Sequence, residues 1–261
     1  MATPTSARKV AVITGGGTGV GAAAALMLAG RGYDLLVNYS RSADEAQASA
    51  AACRAAGADA LAVRGDVSQD ADCRALAAAA LARWGRIDLL VNNAGVSVFG
   101  PAAEWESLEA ETFQRILAVN ALGSFQMVRA CVASLKAVQG CIVNVSSVAG
   151  ALGVGSSLPY IASKGAINAM TLHLARALAP AVRVNAVCPG LITSRWFVQG
   201  VGQAGYEAGL KAYEAGVPLQ RACTPEDVAE AIVWLAGAST VTGELVLLDG
   251  GMHLGGVQAP R

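Results

Sequence analysis

The chain has 261 residues, 54% of them hydrophobic and 15% charged, with 19 Lys and Arg balancing 19 Asp and Glu. That balance leaves no basic surplus for nucleic acid or an anionic membrane, and the composition is too apolar for a disordered chain. Its 55 alanines put much of the hydrophobicity on small side chains, and the longest apolar runs, 22–29 and 75–82, fall short of the roughly 20 residues a bilayer span takes, so no transmembrane helix is expected.

In chain order, residues 9–13 read as a strand and 19–31 as a helix, followed by strand 34–39, helix 43–56, strand 58–64 and helix 70–84. Strand 87–92 precedes a long helical stretch at 108–136, then come strand 141–146, helix 160–178, strand 183–188, helix 225–236 and strand 245–248. The strands are short β-rich apolar runs, and the helices carry apolar positions at three- and four-residue spacing. Strand–helix repetition predicts one α/β domain with a parallel sheet and helices on both faces. Residues 190–216 break the pattern: glycines at 200, 202, 205, 209 and 216 interrupt a weak helical signal holding Trp196, Phe197, Tyr206 and Tyr213. The reading is a mobile substrate loop with one or two short helices, because long insertions in compact domains are usually functional.

After the first strand comes Thr14-Gly15-Gly16-Gly17-Thr18-Gly19-Val20-Gly21, opening directly into a helix. Such a turn aims backbone N–H groups and the positive end of the helix dipole at one point, which suits the pyrophosphate of a dinucleotide. The second strand ends in Asn38-Tyr39-Ser40-Arg41, with no carboxylate to hold a ribose 2′-hydroxyl and an arginine suited to a 2′-phosphate. NADP(H) is therefore preferred over NAD(H). Asp66-Val67 and Asn92-Asn93-Ala94-Gly95 follow the third and fourth strands, where ligands bind in open parallel sheets; the latter also reads as an Asx turn.

Tyr160 and Lys164, four apart on a predicted helix, share a face. A nearby ammonium favours the phenolate and brings a tyrosine toward catalytic range. Ser147, just past a strand, can hydrogen-bond a carbonyl oxygen as it gains charge. Asn120, inside the 108–136 stretch, is either a line of the site holding a water near Lys164 or a satisfied core amide. The cysteines, Cys53, Cys73, Cys131, Cys141, Cys188 and Cys223, include no CxxC pair, and residues 1–9 form a polar arm without a signal-like apolar core. Reduced, buried thiols in a cytoplasmic protein are expected. With only His173 and His253, no metal site is expected.

Together these residues resemble the short-chain dehydrogenase/reductase family over nearly the whole chain. Gly15, Gly17, Thr18, Gly19, Val20 and Gly21 resemble its cofactor motif, Asn93, Ala94 and Gly95 its NNAG motif, and Asn120, Ser147, Tyr160 and Lys164 its catalytic tetrad. Pro189-Gly190 resembles its PG turn, with Ile192 and Thr193 where the family holds the nicotinamide carboxamide, and Asp249-Gly250-Gly251 its C-terminal signature. The resemblance implies a Rossmann fold with a seven-stranded parallel sheet in the order 3-2-1-4-5-6-7, usually a homotetramer. It implies hydride transfer between the nicotinamide and a carbonyl or carbinol carbon. Tyr160 would be the general acid in reduction, Lys164 would lower its pKa and bind the nicotinamide ribose, Ser147 would polarise the carbonyl, and Asn120 would anchor a water relay.

Within the family the sequence is most similar to 3-oxoacyl-(acyl carrier protein) reductases. It departs from them at Thr18, where NADPH-specific members often carry a basic residue, which leaves Arg41, with Ser40, as the selector. It departs also at the poorly basic positions around Lys136 and 179–181, which speaks against docking of an acyl carrier protein. Small or thioester-linked carbonyl compounds are the expected substrates. The alternatives are an NAD-dependent alcohol or sugar dehydrogenase, a non-catalytic nucleotide sensor, and a hydrolase through Ser147, against which stands the absence of a histidine at a strand end facing the site.

Overall fold

The structure, a computed structural model, describes residues 8–99 and 102–255. The alternation runs β1 (Lys9–Ile13), α1 (Gly19–Gly30), β2 (Tyr33–Tyr39), α2 (Ala43–Ala55), β3 (Ala60–Arg64), α3 (Asp70–Trp84) and β4 (Leu89–Asn92). Next come α4 (Ala110–Leu117), a π-helical turn (Ala118–Leu122) and α5 (Gly123–Ala137). β5 (Cys141–Val145) leads through the one-turn α6 (Ala149–Leu152) into α7 (Leu158–Leu178) and β6 (Arg183–Pro189). The chain finishes with α8 (Arg195–Gly216), α9 (Pro225–Gly237) and β7 (Leu245–Leu248).

Among the described residues the strands form one parallel sheet in the order β3-β2-β1-β4-β5-β6-β7. This is a Rossmann arrangement. Side chains alternate across it, as the period of a strand requires. Ala11, Ile13, Leu35, Val37, Leu89, Val91 and Val143 pack in one layer with α1, α2 and α9. Val12, Leu36, Leu90 and Ile142 pack in the other with α3, α5 and α7. All of these strand residues are fully buried, which is why their runs read as continuously apolar. The order reverses between β1 and β4, and such a switch point opens a crevice at the carboxyl ends of the strands.

Two expectations are corrected. Residues 190–216 hold two helical pieces, within the one or two expected, but these fill the segment where a loop was expected to dominate: α8 runs 22 residues and breaks only at Gly202 (φ 75°, ψ 168°), a conformation reserved to glycine. Its glycines weaken it, yet an aromatic face and the Tyr213 hydroxyl, which donates to the Asp249 carbonyl at 2.7 Å, hold it to the domain. None of its residues is buried. The excursion leaves and returns at one point, where Ile192 bridges Cys223, Cys223 N–H donates to Leu191 O, and Thr193 N–H donates to Cys223 O.

The second concerns Ala110–Ala137, a continuous rod of 28 residues containing an 18-residue window of mean hydropathy 1.5, long and apolar enough to cross a membrane. Counting uninterrupted apolar residues missed it, because polar residues such as Asn120 and Gln126 punctuate it. In the fold it is a packed helix lying against α3 and α7.

Candidate active site

Beyond β1, Thr14 enters a turn that Gly15 (φ 61°) and Gly19 (φ 52°) carry through the left-handed region. Asn93, just past β4, clamps it: Nδ2 donates to the carbonyls of Thr14 (2.9 Å) and Gly15 (3.0 Å). Thr14 Oγ1 accepts in return from the N–H groups of Asn93 and Ala94, each at 3.0 Å. The glycines divide by task. A Cβ on Gly21 would lie 2.4 Å from Gly15 O, and one on Gly17 would lie 3.0 Å from Ala46 N, so these two let α1 and α2 pack onto the turn. A Cβ on Gly19 would meet nothing within 4 Å. At that open side Thr18, the N-cap of α1, makes no side-chain cap, leaving the first-turn N–H groups to an outside acceptor, with Val20 tucked beneath. The cradle fits a pyrophosphate.

Ser40 and Arg41 are exposed past β2, and among the described residues no carboxylate pairs with Arg41. Asp66 is exposed past β3, where its Oδ1 accepts from the N–H and hydroxyl of Ser68 (2.9 and 2.8 Å), which stabilises its own turn. Val67 is buried and its carbonyl accepts from Gln126 Nε2 at 2.7 Å. Gly95 joins the two halves of the crevice: a Cβ there would stand 3.5 Å from Asn120 Oδ1 and 3.8 Å from Lys164 Nζ. Past β6, a Cβ on Gly190 would lie 2.2 Å from the Tyr213 hydroxyl oxygen, so α8 can close onto this turn only over glycine. Thr193 Oγ1, like its N–H, donates to Cys223 O, at 3.3 Å.

Ser147, Tyr160 and Lys164 come together at the end of β5. The Ser147 hydroxyl donates weakly to Pro189 O at 3.3 Å, accepts from Ala149 N–H at 3.1 Å, and lowers the pKa of the neighbouring Tyr160 phenol. Lys164 is 4% exposed; its ammonium donates to Val145 O at 2.7 Å and stands 5.5 Å from the centre of the Tyr160 ring. Burial pushes the Tyr160 phenol up to about 12, only partly opposed by Ser147, and pushes Lys164 down to about 8. Desolvation thus sets the direction and Ser147 is what opposes it, the Lys164 ammonium lying beside the ring with one donor spent on β5.

Asn120 sits in the π-helical turn, fully buried. Its amide is engaged throughout: Oδ1 accepts from Val96 N–H (2.8 Å), and Nδ2 donates to Val96 O (3.0 Å) and Ser163 Oγ (2.9 Å). Of the two readings of this residue, the geometry has the satisfied amide. It braces the Gly95 turn against α7, and Ser163 passes the brace to the Tyr160 carbonyl at 2.7 Å. His253 lies, against expectation, at the carboxyl end of β7, but its Nδ1 is bound to Asp249 at 2.9 Å, not to Ser147.

Sequence reasoning missed the residues that hold this group in place. Ser146 Oγ donates to the Lys164 carbonyl (3.2 Å) and to Asn168 Oδ1 (2.6 Å). A Cβ on Gly150 would come within 2.4 Å of the Lys164 backbone, so α6 presses directly on α7 there. Phe99 was missed as well. Its ring packs on Trp196 (5.1 Å between centroids) and Phe197 (5.6 Å), and Trp196 packs on Tyr160 (5.9 Å). The front of α8 therefore roofs the phenol with aromatic surface, as the predicted apolar lid requires.

Residues 15–253 match the family described as enoyl-(acyl carrier protein) reductase. The chain is 41% identical over 256 residues to ketoacyl reductase 2 of the granaticin polyketide synthase from Streptomyces violaceoruber, covering 97% of this chain and all of that one. It is 34% identical over 253 residues to L-fucose dehydrogenase of Bos taurus (95% of this chain, 91% of the relative). A crystal structure of a short-chain dehydrogenase/reductase from Burkholderia xenovorans superposes with a TM-score of 0.89 at 37% identity, covering 96% of this chain and 100% of the other.

Proposed function

We propose that this chain, which belongs to the short-chain dehydrogenase/reductase family and is a nicotinamide-dependent oxidoreductase acting on CH–OH donors, works as an NADP(H)-preferring ketoreductase. The observation that carries the reading is the buried Lys164 ammonium 5.5 Å from the Tyr160 ring, with Ser147 beside them and one glycine between this group and the dinucleotide cradle. Bound dihydronicotinamide supplies the hydride to the carbonyl carbon. Tyr160, protonated at neutral pH, gives its proton to the carbonyl oxygen as the C=O bond opens, which leaves the phenolate. Ser147 turns its hydroxyl from the long bond to Pro189 O toward that oxygen and steadies its charge. Lys164, with two of its three N–H donors beyond the bond to Val145, balances the phenolate and reaches toward the nicotinamide ribose. Gly15, Gly17, Thr18, Gly19, Val20 and Gly21 form the pyrophosphate cradle, with Asp66, Val67, Asn93, Ala94, Gly95, Pro189, Gly190, Ile192 and Thr193 along the rest of the cofactor. Asn120 contributes by bracing.

Replacing Tyr160 by Phe should lower turnover by about 10³-fold or more while equilibrium binding of NADPH, followed by its fluorescence, is unchanged. Retained turnover would remove Tyr160 from the role of acid.

The NADP(H) preference rests on exposed Arg41 and Ser40 past β2. Arg41→Asp should invert the ratio of NADPH to NADH affinity; a wild type that already favours NADH would reject the preference. The second reading, an NAD-dependent sugar or alcohol dehydrogenase, is favoured by the likeness to L-fucose dehydrogenase and by Asp44 and Glu45 in the first turn of α2, close behind Arg41. Small or thioester-linked ketones are the proposed substrates, given the apolar lid. A cytoplasmic homotetramer completes the proposal: free, mostly buried cysteines suit a reducing compartment, and exposed Leu122, Phe125 and Leu172 suit burial between copies.

A further inference from the structure

Arg195, the first residue of α8, donates to Glu45, in the first turn of α2, at 2.9 Å across 150 residues of sequence. α2 follows β2, and α8 follows β6. The sheet order puts β1, β4 and β5 between those strands, so the two anchoring strands stand about 19 Å apart at four strand spacings. Elements that start so far apart and yet touch must arch over the carboxyl ends of the strands between them. Beneath that arch lie the glycine turn, which packs on α2 at Ala46, and the Ser147–Tyr160–Lys164 group.

The rest of the lid is lightly held. No residue of α8 is buried, and the break at Gly202 separates 195–201 from 203–216. The front piece is fastened by the Phe99 and Tyr160 rings on one side and by Arg195 on the other. Glu45 is kept ionised by its own backbone amide and by Arg195, which hold its carboxyl below the usual range.

We propose that Arg195 and Glu45 are positioning residues that strap the nicotinamide dinucleotide into the crevice, and that the cofactor enters and leaves when this ion pair opens. The inference rests on the cofactor lying along the cradle described above, and is independent of whether it carries a 2′-phosphate. Both side chains are about half exposed (51% and 40%), so the strap is weak by design of its surroundings and opens readily. Exposed pairs of this kind shift an equilibrium by up to about fivefold.

The test is stopped-flow release of bound NADPH and of NADH, followed by nicotinamide fluorescence. It compares the wild type with Glu45→Gln, Arg195→Gln, the double variant, and the reversed pair Glu45→Arg with Arg195→Glu. Each single variant should release both cofactors about two- to fivefold faster. The double variant should be no faster than the singles, and the reversed pair should return toward the wild-type rate. Release from the wild type should also quicken with salt, a dependence the single variants lose. Unchanged release in the single variants, or additive effects in the double, would overturn the strap. An error in the proposed cofactor preference would show instead in the ratio of NADPH to NADH affinity, leaving the comparison of release rates intact.

Discussion

The floor and the roof of the crevice are built on opposite principles. The floor, at the ends of β4 and β5 and the start of α7, is a closed polar framework: Asn120, Ser146, Ser163 and Lys164 are buried, and each is hydrogen-bonded to backbone or to another buried side chain. The roof, α8, is a glycine-interrupted helix with no buried residue, held by ring contacts and exposed polar bonds. Reacting groups need fixed geometry, because small displacements forfeit rate. A lid that admits ligands needs the reverse, and such elements are drawn from the least stable parts of a fold. Substitutions in the floor should therefore alter kcat and stability, whereas those in the roof should alter KM.

After Tyr160, the largest effect is expected at Lys164. Lys164→Met should lower kcat at least about 100-fold and yet make the protein more stable at neutral pH by about 1–2 kcal/mol, after allowing for the lost bond to Val145 O. The sign follows from burial. The folded-state pKa, about 8, lies below the ordinary 10.5, so the folded chain holds fewer protons between those values and wild-type stability rises with pH across that window. The gain in the variant should accordingly be full below pH 8 and fade by pH 10.5, which urea titrations at several pH values would measure. The wild-type reduction rate should decline as pH rises through about 8 and Lys164 loses its charge, while Tyr160 keeps its proton. A stabilising gain that persists unchanged to high pH would mean the ammonium is not the source.

Next comes Gly150→Ala, whose methyl would be driven into the Lys164 backbone. It should lose about 1–3 kcal/mol of stability and reduce kcat together, since the helix that carries Tyr160 must shift. The smallest effect on folding belongs to the roof. Trp196→Ala removes a ring that is 40% exposed, so the melting temperature should barely move while KM rises severalfold for bulky apolar ketones. If it melted as much earlier as the Gly150 variant, the contrast between floor and roof would fail.

How much of this was legible in the sequence follows the same division. All seven strands can be read because each is a short apolar run, buried on both faces in the inner strands and half-buried at the edge strands β3 and β7, and the cradle because a strand–glycine–helix junction is local. The boundaries drift by a residue or two, as at β3 and β4, which start later than the apolar runs suggest. Tyr160 and Lys164 are legible because one helix sets their spacing. Gly150, Ser146 and the partners of Asn120 are not, since each depends on an approach between segments distant in the chain. Only partly legible is α8, whose glycines weaken the helical signal and hide the extent of a helix that tertiary contacts with Phe99 and Asp249 support. The raised pKa of Tyr160 is hidden for a related reason: spacing reveals the neighbouring charge but not the loss of water around the ring.

The bridge between Ile192 and Cys223 has a bearing on how such proteins diversify. Everything between those residues is a detour that starts and ends at one spot on the scaffold, so its length and content can change with little penalty in chain closure. Grafting that stretch from another oxidoreductase of the same architecture, cut at this pair, is a route to new substrate ranges in which the host's sheet and proton-transfer residues are inherited unaltered.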